Sequence, residues 1–230
     1  MTARIEVALH DAADTPLGEL VALVPSSSRV LLRYGLDYCC GGAQTLEDAC
    51  QTQGLEVERV LLELREVSGE APAMPWETAS VQEIIAHILK VYHAPLREEL
   101  TQLVVMAEKV LGVHGPKDPI RLTRLRDHLL EFKDELEFHM EKEEMVLFPW
   151  IATGRQPPPG PPIAVMEDEH LKAAESLAQL RTLTDNFRPP EDACATWRNL
   201  YARLEASDHT LRAHIHLENH VLFPRALATT

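Results

Sequence analysis

The sequence predicts an all-α protein, in which a small helical N-terminal domain precedes an up-down four-helix bundle. From residue 80 onward, apolar residues recur at steps of three and four, as they do in amphipathic helices. No segment alternates with period two for long enough to predict a sheet. Breaks rich in proline and glycine lie near residues 68–75 and 155–162. We expect residues 1–70 to form the small domain, 71–79 a linker and 80–230 the bundle.

Four long helices are predicted in the bundle. The first begins at Ser80, which has capping-box spacing to Glu83, and it runs to about Gly112 with a bend at Pro95. The other three are predicted over residues 119–151, 162–187 and 191–222. Helices of this length joined by short connections favour antiparallel neighbours.

Charge and composition exclude several classes of function. The chain has 230 residues and a formal net charge of −14, which repels phosphate backbones and argues against a nucleic-acid partner. No apolar run approaches the roughly 20 residues that span a bilayer, and the N-terminus does not resemble a signal peptide. Four cysteines, two of them adjacent, suit a reducing compartment better than a disulfide scaffold. We expect a cytoplasmic protein without a membrane partner.

An internal repeat is the strongest signal in the chain. The motif HxxxExxVLFP occurs at residues 139–149 and again at 214–224, each time near the end of a predicted helix. A helical hairpin has therefore been duplicated. The apolar stripe that leads into the first copy is Leu125, Leu129, Phe132, Leu136, His139, Glu143, Val146 and Trp150.

The position of the repeat on this stripe predicts a metal centre. The histidine and glutamate of each copy face the apolar core. Burying an ionised carboxylate there costs several kcal/mol unless a cation compensates it. A single histidine on an apolar stripe is more often a core residue, and a single HxxxE is often a surface pair. Two copies in register favour metal binding instead.

The other two helices are expected to complete the ligand set. His170 lies on the apolar stripe of the third helix, and His87 lies on that of the first. Six ligands are too many for a structural zinc site, and mixed imidazole and carboxylate suits two iron or manganese ions. The predicted ligands are His87, His139, Glu143, His170, His214 and Glu218, with the two glutamates bridging.

Other polar residues near these positions are harder to assign from spacing. Glu135 and Glu169 are either outer partners of the centre or part of a solvated helix face. His114 is expected in a surface loop. The remaining histidines are expected at the surface or beside the ligands: His93, His128, His209, His216 and His220.

Cys39 and Cys40 are adjacent and are followed by Gly41 and Gly42. Adjacent cysteines rarely bond to each other, because the intervening peptide would be strained. The two glycines permit unusual backbone angles and are expected to leave the thiols accessible. A reactive or metal-passing dithiol is one interpretation, and buried structural cysteines are the other.

Together these motifs resemble the Repair of Iron Centres family. The segment Tyr-Cys-Cys-Gly-Gly at residues 38–42, followed by the duplicated HxxxExxVLFP hairpin, carries the resemblance. It implies a hemerythrin-like di-iron bundle whose ligands are the six residues already selected. It also implies that Cys39 and Cys40 matter for function and that Glu135 and Glu169 lie beside the centre. Hemerythrins carry a fifth histidine ligand that this sequence does not clearly supply, which implies a more open and labile site.

The resemblance implies recovery of iron–sulfur clusters damaged by nitric oxide or peroxide, with damaged iron–sulfur proteins as partners. One mechanism is donation of iron from the labile di-iron site. Its alternative is binding of nitric oxide at that site, as a scavenger or with reduction to nitrous oxide. These alternatives leave open whether the protein is an enzyme. Dioxygen carriage and a metal-free interaction module are further alternatives. Monomer and homodimer both remain open.

Overall fold

The computed structural model describes residues 12–67, 76 and 78–228. Within these residues the secondary structure is helical, apart from an isolated β-bridge between Pro16 and Thr45. The all-α prediction is confirmed. The predicted domain boundaries stay a prediction, and most of the predicted linker (residues 71–75 and 77) lies outside the described residues.

The α-helices are numbered here in chain order. They are α1 (Leu17–Leu23), α2 (Ser27–Arg33), α3 (Leu46–Gln53), α4 (Val57–Val67), α5 (Val81–His87), α6 (Ala94–His114), α7 (Pro119–Lys142), α8 (Phe148–Ala152), α9 (Gly160–Leu183), α10 (Ala195–Leu217) and α11 (Phe223–Ala228). Every one of these helices falls short of the length and apolar character that a bilayer span requires.

One compact unit of the chain comprises Met1–Ile84 and Arg212–Ala228. Helices α1 to α4 lie in this unit and bury leucines in its core. The start of α3 is fixed by Thr45, whose hydroxyl accepts a hydrogen bond from the backbone N–H of Asp48 at 3.2 Å. Its end is fixed by Gly54, whose φ of 67° lies in the left-handed region.

The second compact unit comprises Ile85–Leu211. Here α7 packs against both α6 and α9. The predicted stripe on α7 is buried from Leu125 to Glu143, and that on α9 is buried from Ile163 to Leu177. The capping box that starts α5 is present and belongs to the first unit: Ser80 N–H donates to Glu83 at 2.8 Å, and Glu83 N–H donates to the Ser80 hydroxyl at 3.2 Å.

Three π-helical segments interrupt these helices, at Ile88–His93, Glu143–Leu147 and Glu218–Leu222. A proline follows each segment after one intervening residue: Pro95, Pro149 and Pro224. Proline lacks an N–H, and its ring clashes with the carbonyl four residues earlier in an α-helix. In each case that carbonyl lies inside the π segment, where the wider turn accommodates the ring. The helix continues through each proline, and a π turn lies just before Pro95, where a bend is predicted from the sequence.

The π segments also change which residues face the core. The predicted stripe on α7 continued through Val146 and Trp150, but Val146 is 56% exposed and Trp150 is half-buried. Leu147, Phe148 and Ile151 are buried instead. The extra residue in each π turn advances the buried face by one position, which an uninterrupted period of 3.6 does not predict.

Candidate metal centre

Four buried side chains converge where the first two π segments meet α7 and α9. His93 ends the first π segment, His139 lies in the last turn of α7, Glu143 begins the second π segment and His170 lies within α9. The Nε2 atoms of His93 and His139 are each 3.4 Å from Oε2 of Glu143. Nε2 of His170 is 3.2 Å from Nε2 of His139. Glu143 is completely buried.

The second copy of the repeat contributes a matching pair. His214 lies in the last turn of α10, and Glu218 begins the third π segment. Nε2 of His214 is 3.0 Å from Oε1 of Glu218, and both side chains are buried. Each copy of the motif therefore places its glutamate at the first residue of a π turn, one helical turn after its histidine.

The ligand atoms of these residues form two groups, within each of which all atoms lie within 4.8 Å of one another. One group is His93, Glu143, His214 and Glu218, and the other is His139, Glu143, His170 and Glu218. Each group offers two imidazoles and two carboxylates, and both carboxylates belong to both groups. A carboxylate has two oxygens, so each glutamate can bridge a pair of metal ions. The donor set fits a binuclear imidazole–carboxylate centre, in which these residues would hold the metals.

Two of the histidines are also held from outside the centre. Nδ1 of His93 is 2.7 Å from Glu144, which in turn pairs with Arg97 at 2.9 Å. Nδ1 of His139 is 2.8 Å from Glu169, which also pairs with Lys142. Such outer carboxylates fix the tautomer and ring orientation, leaving Nε2 available to a metal.

The outer carboxylates are stabilised as anions. The hydrogen bond with His139 lowers the pKa of Glu169 to about 2, against the opposing effect of burial and with a further contribution from Lys142. Burial raises the pKa of Glu144, but hydrogen bonds from Arg97 and His93 outweigh it and lower the pKa overall. Both groups therefore remain negatively charged acceptors near neutral pH.

The structure brings together five of the six predicted ligands, and the sixth lies apart from them. His87 lies outside both groups, is half-buried, and makes an edge contact with Tyr92. His93, which we expected at the surface or beside the ligands, lies in the first group instead. The π turn explains this difference: the buried positions run from Ile84 and Ile88 directly to His93, a step of five. The role of these residues as metal ligands stays a prediction.

Other polar residues lie partly as expected. Glu169 contacts His139, whereas Glu135 is exposed. His114 is buried against Trp197, with ring centroids 5.0 Å apart, so the expectation of a surface loop was wrong. Glu144 was not predicted as an outer partner, because the HxxxE motif points only to its neighbour Glu143. A proline inside an otherwise helical stripe was the available signal for the shifted register at His93.

Around Cys39 and Cys40 the loop is organised by Asp37. Oδ1 of Asp37 accepts hydrogen bonds from the backbone N–H groups of both cysteines at 3.1 Å, and lies 3.0 Å from Sγ of Cys39. The two sulfur atoms are 3.7 Å apart and unbonded. Cys39 is buried and Cys40 is half-buried, so the predicted access to the thiols was wrong for Cys39. These three residues form a further group that can hold a metal ion.

The protonation of this loop follows from its contacts. The hydrogen bond with Cys40, burial, and the charge of Asp37 all raise the pKa of the Cys39 thiol. Burial also raises the pKa of Asp37, but hydrogen bonds from Cys39 and Cys40 outweigh it and hold the pKa below its usual value. Cys39 is therefore a protonated donor to an ionised Asp37 in this arrangement, and not a nucleophilic thiolate.

Fold and site together define a helical protein with a buried histidine–glutamate centre for two metal ions. Residues 84–226 match the hemerythrin HHE cation binding domain, and residues 13–68 match a domain of unknown function, DUF542. The chain is similar to the iron–sulfur cluster repair protein YtfE of Enterobacter sp. (strain 638), at 43% identity over 94% of this chain and 97% of the relative. YtfE proteins of Citrobacter koseri, at 42%, and Escherichia coli O157:H7, at 43%, cover the same shares.

The chain belongs to the hemerythrin HHE family, among these iron–sulfur cluster repair proteins. The predicted helical bundle and the resemblance to the Repair of Iron Centres family are both confirmed.

Proposed function

We propose that this protein repairs or protects iron–sulfur clusters damaged by nitrosative or oxidative stress, by donating iron from the histidine–glutamate centre. The observation that carries the proposal is the pair of four-residue groups that share Glu143 and Glu218. Relatives that are 42–43% identical over nearly the whole chain bear the name of iron–sulfur cluster repair proteins. Damaged iron–sulfur proteins are then the partners that receive the iron.

The donor set supports release of iron as well as its binding. Imidazole and carboxylate are harder ligands than the thiolates and sulfides that hold iron in a cluster. Four protein ligands per metal would leave coordination positions open for an incoming ligand. Ligand preference therefore favours the transfer of iron from this centre to a thiolate-rich acceptor. The acceptor could bind the iron before the last protein ligand leaves.

Cys39 and Cys40 are proposed to assist this transfer. Together with Asp37 they provide two sulfur atoms and one carboxylate within bonding reach of a single ion. Loss of the Cys39 proton to Asp37 or to solvent would convert the buried donor into a ligand. We propose a cytoplasmic location, in which these thiols stay reduced, and either a monomer or a homodimer.

Iron donation is tested with the full chain, loaded with Fe²⁺ without oxygen and mixed with an apo-ferredoxin, sulfide and a thiol reductant. The cluster absorption of the ferredoxin is expected to appear at the expense of iron in the donor. His93→Ala is expected to abolish donation, and His87→Ala, outside both groups, is the matched control. Retention of iron by the wild-type protein throughout cluster assembly would contradict the proposal.

The open coordination positions also favour a second candidate, nitric oxide binding at the same centre. Reduction to nitrous oxide requires an external electron donor, so the test supplies an excess of reductant and measures nitrous oxide by gas chromatography. Several equivalents of nitrous oxide per chain would assign a reductase. Binding of nitric oxide without turnover would leave a scavenger.

A further inference from the structure

The carbonyl oxygen of Cys39 is held by two adjacent side chains of the third π segment. Asn219 Nδ2 donates to it at 3.1 Å, and His220 Nε2 also lies 3.1 Å from it, where an N–H donates. A carbonyl has two lone pairs, and both are used here by the segment Glu218–Leu222. All of these residues belong to one compact unit of the chain.

The His220 ring fits a space that two glycines leave open. A Cβ on Gly18 would lie 2.6 Å from the ring, and a Cβ on Gly42 would overlap it as well. The two glycines are joined by a backbone hydrogen bond from Gly18 N–H to Gly42 O at 2.9 Å. His216 adds a contact from the same helix, with Nε2 2.8 Å from the Gly18 carbonyl. The absence of side chains at positions 18 and 42 is therefore what allows His220 to reach the cysteine loop.

The contacts to the loop and the predicted metal ligands occupy different faces of the same helix. Arg212 and His216 each lie two residues from His214, which places them about 200° around an α-helix from it. Arg212 Nη1 is 3.7 Å from both Cys39 Sγ and Asp37 Oδ1. One helix thus carries metal ligands on one side and contacts to the cysteine loop on the other.

The duplicated motif supplies an internal comparison. Both copies keep the histidine, the glutamate and the VLFP sequence, but the positions that touch the cysteine loop differ between them. Arg212, His216, Asn219 and His220 correspond to Glu137, Glu141, Glu144 and Met145 in the first copy. Met145 is 72% exposed, so the position equivalent to His220 has no such contact there. The loop-binding residues are specific to the second copy and are not required by the shared helical motif.

We infer that Asn219 and His220 are positioning residues for the Cys39–Cys40 pair: they clamp the Cys39 carbonyl to the segment that begins with Glu218 and thereby keep the Cys39 thiol buried. Because Glu218 and the clamp are consecutive residues of one π turn, a displacement of Glu218 releases Cys39. The use of this release in handing over iron rests on the proposed function, whereas the clamp itself does not.

The clamp is tested by alkylation of the full, metal-free chain with iodoacetamide, with each cysteine followed by peptide mass spectrometry. Metal-free protein is used so that a failure of iron binding and a failure of the clamp are separate results. His220→Leu fills a similar space with an apolar side chain but removes the donor, and is expected to raise the Cys39 alkylation rate about tenfold. His220→Gln retains an N–H donor and is expected to stay near the wild-type rate.

Two controls distinguish release of the loop from unfolding. Met145→Ala changes the equivalent position of the first copy and is expected to leave the Cys39 rate unchanged. Cys50, buried in α3, is expected to keep its slow rate in every variant.

A second variant disturbs the clamp from the side of the His220 ring that faces Gly18. Gly18→Ala adds a methyl group against the His220 ring and is expected to raise the Cys39 rate as His220→Leu does. If both variants leave Cys39 at the Met145→Ala rate, or raise Cys39 only together with Cys50, the clamp is refuted.

Discussion

At the scale of single residues, His93 and His139 use their two ring nitrogens for different tasks. Each directs Nε2 toward Glu143 and Nδ1 toward an outer carboxylate, Glu144 or Glu169. An anchored Nδ1 fixes both the tautomer and the plane of the ring, which determines where Nε2 can bind a metal. We therefore expect the outer carboxylates to contribute to metal affinity through the histidines that they hold.

Replacing His93 is expected to deplete the centre of iron, and replacing His87 is not. His93→Ala removes one of two imidazoles from its group, whereas His87 lies outside both groups. Iron per chain, measured by elemental analysis after anaerobic loading and desalting, is expected to fall to half or less in His93→Ala. A full iron content in His93→Ala, together with a loss of iron in His87→Ala, would instead support His87 as the ligand, as the sequence spacing predicts.

Removing an outer carboxylate is expected to weaken binding more mildly. Glu144→Gln is expected to lower iron affinity by about 10–100-fold, because a neutral amide holds the His93 N–H less firmly. Competition with a chromogenic Fe²⁺ chelator measures this affinity. Glu135→Gln, at an exposed site, is the control and is expected to match the wild type.

At the scale of elements, the π segments position the centre. Each of the three begins or ends at a residue of the cluster, and each precedes a proline that an α-helical turn would not accommodate. The helical period of the sequence placed His139, Glu143, His214 and Glu218 correctly on buried faces, because these residues precede or begin their π segments. It misplaced His87, Val146 and Trp150, because the extra residue of a π turn is not visible in a pattern of period 3.6.

A helix cap offers a prediction at this scale. Thr45→Ala removes the acceptor for Asp48 N–H at the start of α3 and is expected to lower the free energy of unfolding by about 1 kcal/mol. Urea denaturation followed by circular dichroism measures the change. Gln53→Ala, at an exposed position of the same helix, should change the midpoint little, and an equal shift in both variants would argue against a capping contribution.

At the scale of the whole molecule, the carboxylates that favour metal binding lower the stability of the metal-free protein. Glu143 and Glu218 are fully buried carboxylates placed together, an arrangement that is costly without a cation. A ligand that binds only the folded state stabilises it by mass action, by about 2.7 kcal/mol at a concentration 100 times its Kd. The protein is therefore expected to be markedly more stable with iron than without it.

Exchanging a bridging glutamate for glutamine tests this opposition. Glu143→Gln and Glu218→Gln each remove a buried charge, and are expected to raise the metal-free melting temperature because the desolvation cost of that charge is relieved. The same variants are expected to lose the gain that iron gives the wild type. Differential scanning calorimetry with and without Fe²⁺ measures both effects, and a metal-free variant less stable than the wild type would contradict the argument.

Local patterns in the sequence were enough to predict the helical class, the duplicated hairpin, and most of the cluster. The helical period and the repeated HxxxExxVLFP motif are properties of neighbouring residues, so they can be read without the fold. Three features could not be predicted from such patterns. They are the position of His93 rather than His87 in the cluster, the contacts of Glu144 and Glu169 with histidines of the cluster, and the hydrogen bonds of Asn219 and His220 to Cys39. Those features depend on π turns that shift the helical register and on contacts between residues far apart in the chain, and both arise only when the chain is packed.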